Sequence, residues 1–275
     1  MNIYISTTLH NDVVTESLLS FLESYDGNVG LEIFPLCHVD GYFDRLERYA
    51  TSLMDYPITF HEPYYGVEHC MPKNSAEHAA TMNYCKKTFR YASILRARHV
   101  VYHLNNCAIW SKGEMLANAF ANLKETAELA DLFGLRLLIE NTGIPSLQNI
   151  LLDQEEFTRL FSVVPQGCLI DVGHANCSGW DLGVVMRELG DSVCAYHVHN
   201  NFGTTDDHNR ILNGTLNMED FIDDYLTYTP EADFVIEYRP NLLDDGFGWL
   251  HDDIAWIYER VEHQERTPLL PVGAL

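Results

Sequence analysis

"IYISTTLHNDVV" (residues 3–14) is a β-branched and aromatic run that gives way to polar residues without a single glycine. An open, doubly wound sheet normally follows its first strand with a Gly-rich turn that brings the backbone close to a phosphate, so this opening points away from that fold. Seven more runs of the same kind follow: "VGLEIFP" (29–35), "PITFHEP" (57–63), "HVVYHLN" (99–105), "RLLIENT" (136–142), "CLIDVGH" (168–174), "CAYHVHN" (194–200) and "DFVIEYR" (233–239). Between them lie stretches with helical spacing of apolar residues, such as "YFDRLERYATSL" (42–53) and "EMLANAFANLKETAELADLF" (114–133). Eight alternating strand and helix units predict an α/β fold, a single (β/α)8 TIM barrel, over residues 1–265, with "RTPLLPVGAL" (266–275) as a C-terminal tail. No linker, low-complexity segment or second domain interrupts the pattern.

Composition narrows the partners. With 275 residues and 47% hydrophobic content the chain can bury one large core, and 12% aromatics with 21% charged residues argue against disorder. Seventeen Lys plus Arg against 40 Asp plus Glu give a formal charge of −23, which repels a polyanion at long range, so nucleic acid is not the expected partner. "MNIYISTTLH" has no basic or apolar leader, and no apolar run reaches the ~18 residues a membrane span needs, so a cytoplasmic protein without a membrane partner is expected. Seven scattered cysteines without a CxxC pair suit a reduced compartment and small core positions better than a disulfide framework.

In a (β/α)8 barrel the carboxyl ends of the strands surround one mouth and carry the chemistry. Here the ionisable residues Glu32, His61, His103, Glu140, Asp171, His174, His197, His199 and Glu237 fall at or just past the ends of the apolar runs. Each alone has a structural explanation, such as Asp171 capping the following helix or Glu237 pairing with Arg239. Together, so many carboxylates and imidazoles around one mouth would be costly without a cation to satisfy them. Oxygen and nitrogen donors without clustered thiols indicate Zn²⁺, Mn²⁺ or Fe²⁺.

The stretches "ITFHEPYYG", "VVYHLNN", "LLIENTG", "LIDVGHAN", "YHVHNNFGTTDDH" and "FVIEYRP" resemble, in order, the strand-end motifs of the xylose-isomerase-like TIM barrel superfamily. That superfamily contains sugar-phosphate isomerases and epimerases and endonuclease IV. The epimerase branch implies one divalent ion held by Glu140, Asp171, His199 and Glu237. His199 is preferred over His197 because the second member of the family's His-x-His usually points at the metal, leaving His197 deeper, as a partner on the substrate side. Glu140 and Glu237 are then the catalytic pair, one removing and one returning a proton at a substrate carbon through an enediolate. The endonuclease IV branch implies up to three zinc ions and adds His61, His103, His174, Asp206 and His208 as ligands. One to three divalent ions per chain, zinc or manganese, are therefore expected.

Two positions depart from the pattern. Asn213 stands where many relatives have the Glu of a Gly-Glu-Gly turn, and Asn200 where relatives often have Asp. Both remove charge near the mouth. Tyr64, Tyr65, Trp110, Phe202 and Trp249 are expected to rim the mouth, with Tyr64 and Trp110 against the substrate. The cations available there are Arg210, Arg239 and Lys112, of which Arg239 is expected to touch substrate. The leading expectation is a metal-dependent isomerase or epimerase of a small carbohydrate-like molecule. The alternatives are an endonuclease IV-like trinuclear zinc phosphodiesterase and a metal-binding relative without turnover.

Overall fold

The computed structural model describes residues 1–9, 15–25, 27–240 and 247–265. The expected tail (266–275) and parts of the mouth loops at 10–14 and 241–246 lie outside these residues. Eight parallel strands close into a barrel in sequence order: β1 (Ile3–Ser6), β2 (Val29–Ile33), β3 (Ile58–His61), β4 (Val100–Tyr102), β5 (Leu137–Glu140), β6 (Gly167–Asp171), β7 (Val193–Val198) and β8 (Asp233–Ile236). Pairing of Ile3 with Phe234 between β1 and β8 closes the ring. The helices are α1 (Glu16–Glu23), α2 (Tyr42–Leu53), α3 (Ala76–Ile94), α4 (Lys112–Leu132), α5 (Gln154–Leu160), α6 (Val172–Ser178), α7 (Leu182–Leu189), α8 (Met218–Tyr228) and α9 (Gly248–Glu265). Among the described residues, no helix is long and apolar enough to cross a membrane.

The strands read as near-continuous apolar runs because both of their faces are covered. Outward residues such as Ile3, Ile5, Phe60, Tyr102, Ile139, Ile170, Tyr196 and Phe234 pack against the helices in one large buried cluster. Inward residues Val101, Leu138, Leu169 and Ala195, from β4 to β7, form a separate small plug inside the barrel. Side chains two residues apart on a strand point the same way. Adding two to each plug residue therefore places His103, Glu140, Asp171 and His197 in the layer directly above. The same step from Thr59 and Val235 gives His61 and Glu237.

The sequence pattern expects one helix between β6 and β7, and the structure has two. The extra element, α6, begins immediately after β6 because the Asp171 side chain accepts the His174 N–H at 2.6 Å and so caps it. Asp171 thus has its structural role as well as a place in the barrel mouth.

Candidate metal centre

Glu140, at the end of β5, is the centre of the constellation. Its Oε2 lies 2.9 Å from His103 Nε2, 3.7 Å from His61 Nε2 and 3.4 Å from His197 Nδ1, while its Oε1 lies 3.3 Å from His174 Nδ1. Asp171 Oδ2 stands 3.0 Å from His199 Nε2 and 3.8 Å from His197 Nδ1. Glu237 Oε2 lies 3.2 Å from His197 Nδ1. Asp206 bridges two more imidazoles, with Oδ2 at 3.2 Å from His174 Nε2 and 2.9 Å from His208 Nε2. Donor atoms gather within 4.8 Å of one another in adjoining groups, among them His61–His103–Glu140, Glu140–Asp171–His174 and His199–Asp206–His208.

All nine expected ligands are therefore brought together, and His197 lies deeper than His199 as expected, but the partners of the two imidazoles differ from the expected ones. His197, not His199, faces both glutamates. The reason is register: Asp171 pairs with His197 across β6 and β7, so the two share a layer, and His199 stands one layer higher. His197 is fully buried, touches no part of the cavity above, and has its other nitrogen, Nε2, 3.0 Å from Glu32 Oε1. The expected contact of His197 with substrate therefore finds no support in the lining of that cavity. A buried carboxylate on one ring nitrogen, with the other aimed among carboxylates, is the arrangement by which proteins orient a metal-binding histidine. His199 stacks on His208 with ring centroids 4.0 Å apart. It fits only because residue 173 is glycine, since a Cβ there would stand 1.9 Å from His199 Cε1.

Neighbouring groups that the sequence did not single out fix the imidazoles. Asn106 Oδ1 lies 2.7 Å from His103 Nδ1, Glu62 accepts the His103 backbone N–H at 3.1 Å, and the Asn141 amide exchanges two hydrogen bonds with the Asp171 backbone. Asn200 is buried and donates to the carbonyls of Ile211 and Leu216 at 2.7 and 3.0 Å. An Asp there could not donate, so Asn200 staples the loop after β7 and does not stand in for a missing acid. Asn213 is exposed.

Burial alone would raise the Glu140 carboxyl, but His103 and His197 beside it hold it well below the usual carboxylate range. Burial would lower His61 and His208, yet Glu140 beside the one and Asp206 beside the other push each up to about 9. Without metal, protons on these imidazoles supply the positive charge that the carboxylates require. The residues fit a divalent ion on a further ground: the buried atoms His197 Nδ1 and Asp206 Oδ1 have no hydrogen-bond partner although imidazoles and carboxylates stand around them. His197 Nδ1 faces the carboxylates of Glu140 and Glu237, and Asp206 Oδ1 lies 3.7 Å from His199 Nε2.

A consequence is measurable in solution. Raised folded-state values mean that His61 and His208 stabilise the metal-free fold fully below their unfolded value of about 6.5, and lose that contribution as pH climbs through about 9. Metal ligands must shed their protons, so a bound ion reverses the trend. The melting temperature of chelator-stripped protein should fall between these two pH values, and added zinc should raise it most at the alkaline end. A stripped protein that becomes more stable across the same interval contradicts the assignment.

Above the ions' expected places lies a cavity of about 360 Å³, lined by His61, His103, Glu140, His174, Asp206, His208 and Glu237 on its floor and by Tyr64, Tyr65 and Arg239 among its walls. Trp110 does not line it. The Ile109 N–H donates to the Gln148 carbonyl at 2.8 Å, which draws that loop toward the β5 side and leaves Trp110 half exposed at the start of α4. Phe202 is likewise exposed outside the cavity, and Trp249 packs on Tyr238.

Residues 21–259 match the xylose isomerase-like TIM barrel family. The chain belongs to that family. A curated relative, an uncharacterized protein (MJ1311) of Methanocaldococcus jannaschii, is 29% identical over 118 residues, a match that spans 40% of each chain. Among solved structures, a D-tagatose 3-epimerase-like protein superposes with a TM-score of 0.72 at 22% identity, covering 95% of this chain and 100% of its own. The IOLI protein, solved with a bound zinc atom, gives 0.74 at 15% identity over 97% and 100%. A family 2 AP endonuclease from Brucella melitensis gives 0.71 at 16% identity over 91% and 98%. At these identities the family's fold is what is shared.

Proposed function

We propose that this family member is a divalent-metal-dependent isomerase or epimerase acting on a small carbohydrate-like substrate. The observation that carries the reading is that Glu140 on β5 and Glu237 just after β8 approach the same nitrogen, His197 Nδ1, at 3.4 and 3.2 Å from separate strands, and both line the cavity. Glu140, Asp171, His197 and Glu237 would hold the central ion. When bound, the ion would act as a Lewis acid on neighbouring substrate oxygens and so acidify the adjoining C–H bond.

The chain's own part is positional and protonic. One glutamate takes the proton from one face of the substrate carbon, and the other returns a proton from the opposite face. Tyr64, with its neighbour Tyr65, supplies an aromatic wall that suits sugar C–H surfaces and excludes water. Epimerase neighbours in the same fold support the reading. Deuterium incorporation from heavy water into a panel of ketoses and aldoses, followed on zinc- or manganese-loaded protein, tests it. The reading requires exchange at a single carbon in at least one sugar and fails if every panel member stays unlabelled.

The adjoining ligand groups around His61, Glu140 and His208 favour one other reading, a multinuclear phosphodiesterase of the endonuclease kind. Charge opposes it: the formal net charge is −23, and long-range repulsion from a polyanion would have to be overcome locally. Affinity for duplex DNA carrying an abasic site should be undetectable at physiological salt. Salt-sensitive binding together with strand cleavage would transfer the proposal to the phosphodiesterase.

A further inference from the structure

The sequence offers three cations for the mouth, and the structure commits two of them elsewhere. Lys112 Nζ pairs with Glu156 Oε2 at 2.5 Å. Arg210 clamps Asp253 through Nε to Oδ2 at 3.0 Å and Nη2 to Oδ1 at 2.7 Å, and its guanidinium lies over the Trp249 ring. Arg239 differs from both. Its backbone N–H donates to the His208 carbonyl at 3.0 Å, but among the described residues its guanidinium has no ion pair and no hydrogen bond.

Its location gives the vacancy a purpose. Arg239 lines the same cavity as Glu140 and Glu237, and among the described residues it is the one Lys or Arg that does so. At about 360 Å³ that cavity is at the small end for ligand sites, with room for one sugar-sized molecule that would share it with both glutamates and Arg239. The planar guanidinium fork matches a carboxylate with two parallel hydrogen bonds. A phosphate dianion in such a pocket ordinarily draws a Gly-rich turn, a backbone nest or several cations, and the sequence has no such turn after its first strand.

We propose that Arg239 anchors a carboxylate of the substrate, which makes the substrate class an acidic sugar and not a neutral sugar or a sugar phosphate. This rests on the reading of the glutamate pair as the reacting end, and it adds the group recognised at the other. The test is calorimetric titration of zinc-loaded protein with D-glucuronate and D-galacturonate, each against its parent sugar, and with glucose 6-phosphate. Wild type should bind at least one uronate ten-fold or more tighter than its parent sugar and tighter than the phosphate. Arg239→Gln should erase that preference, with metal content and melting temperature unchanged, and Arg239→Lys should keep part of it. Equal binding of uronate and parent, absence of binding by both uronates, or a stronger response to the phosphate would overturn the proposal. So would a uronate preference that survives in Arg239→Gln, since the carboxylate would then be going to the metal. A uronate that binds through Arg239 but exchanges no deuterium leaves this anchor standing and removes the proton-transfer reading. Exchange on a neutral sugar without uronate preference does the reverse.

Discussion

Replacing Glu140 with alanine should lower metal content more than any other single change in the barrel mouth. Its two carboxylate oxygens serve different neighbours, Oε2 facing His61, His103 and His197 and Oε1 facing His174, so one substitution opens two groups of donors at once. Loss of a group that merely orients a ligand costs about ten- to a hundred-fold in metal affinity, and the loss here should exceed that. Asp206→Ala, by contrast, opens the group beside His208 and leaves Glu140, Asp171, His197 and Glu237 intact. Because alanine also strips several buried imidazoles of their counter-charge, Glu140→Gln serves as the shape-preserving control. Zinc bound per chain, measured by atomic emission after dialysis, checks the order. Equal retention by Glu140→Ala and Asp206→Ala would remove Glu140 from the centre.

The second large effect concerns chemistry and not occupancy. Glu237→Gln keeps the volume and a carbonyl oxygen able to face the ion, but the amide cannot accept a proton at neutral pH. Solvent deuterium exchange should therefore fall by about 10²-fold or more, the usual worth of a general acid or base, while bound metal declines far less. Glu140→Gln should abolish exchange as well. Exchange at wild-type rate in both variants would take these carboxylates out of the mechanism.

The barrel was readable because each strand is a short apolar run covered on both faces, and the ligand positions were readable because they follow those runs directly. What was hidden depended on how the strands slide past one another. The pairing of Asp171 with His197, which sinks His197 into the glutamate layer and leaves His199 above it, is a register between strands that no local pattern records. The fates of the cations were hidden for a related reason: Lys112 meets Glu156 and Arg210 meets Asp253 only after the chain has folded back across whole βα units. Asn200 looked like a lost charge because its two donated hydrogen bonds, to Ile211 and Leu216, belong to a loop that closes later in the chain. Asn106 and Asn141 carried a signal that could have been used, since each lies within three residues of His103 or Glu140 and side-chain amides commonly fix ligand orientation.

Anomalous diffraction at the zinc and manganese absorption edges, from crystals grown without chelator, addresses the central claim most directly. The account predicts a peak at roughly 2.0–2.3 Å from carboxylate oxygens of Glu140, Asp171 and Glu237 and from Nδ1 of His197. Density for a fully loaded crystal with no anomalous peak among those four residues would contradict it.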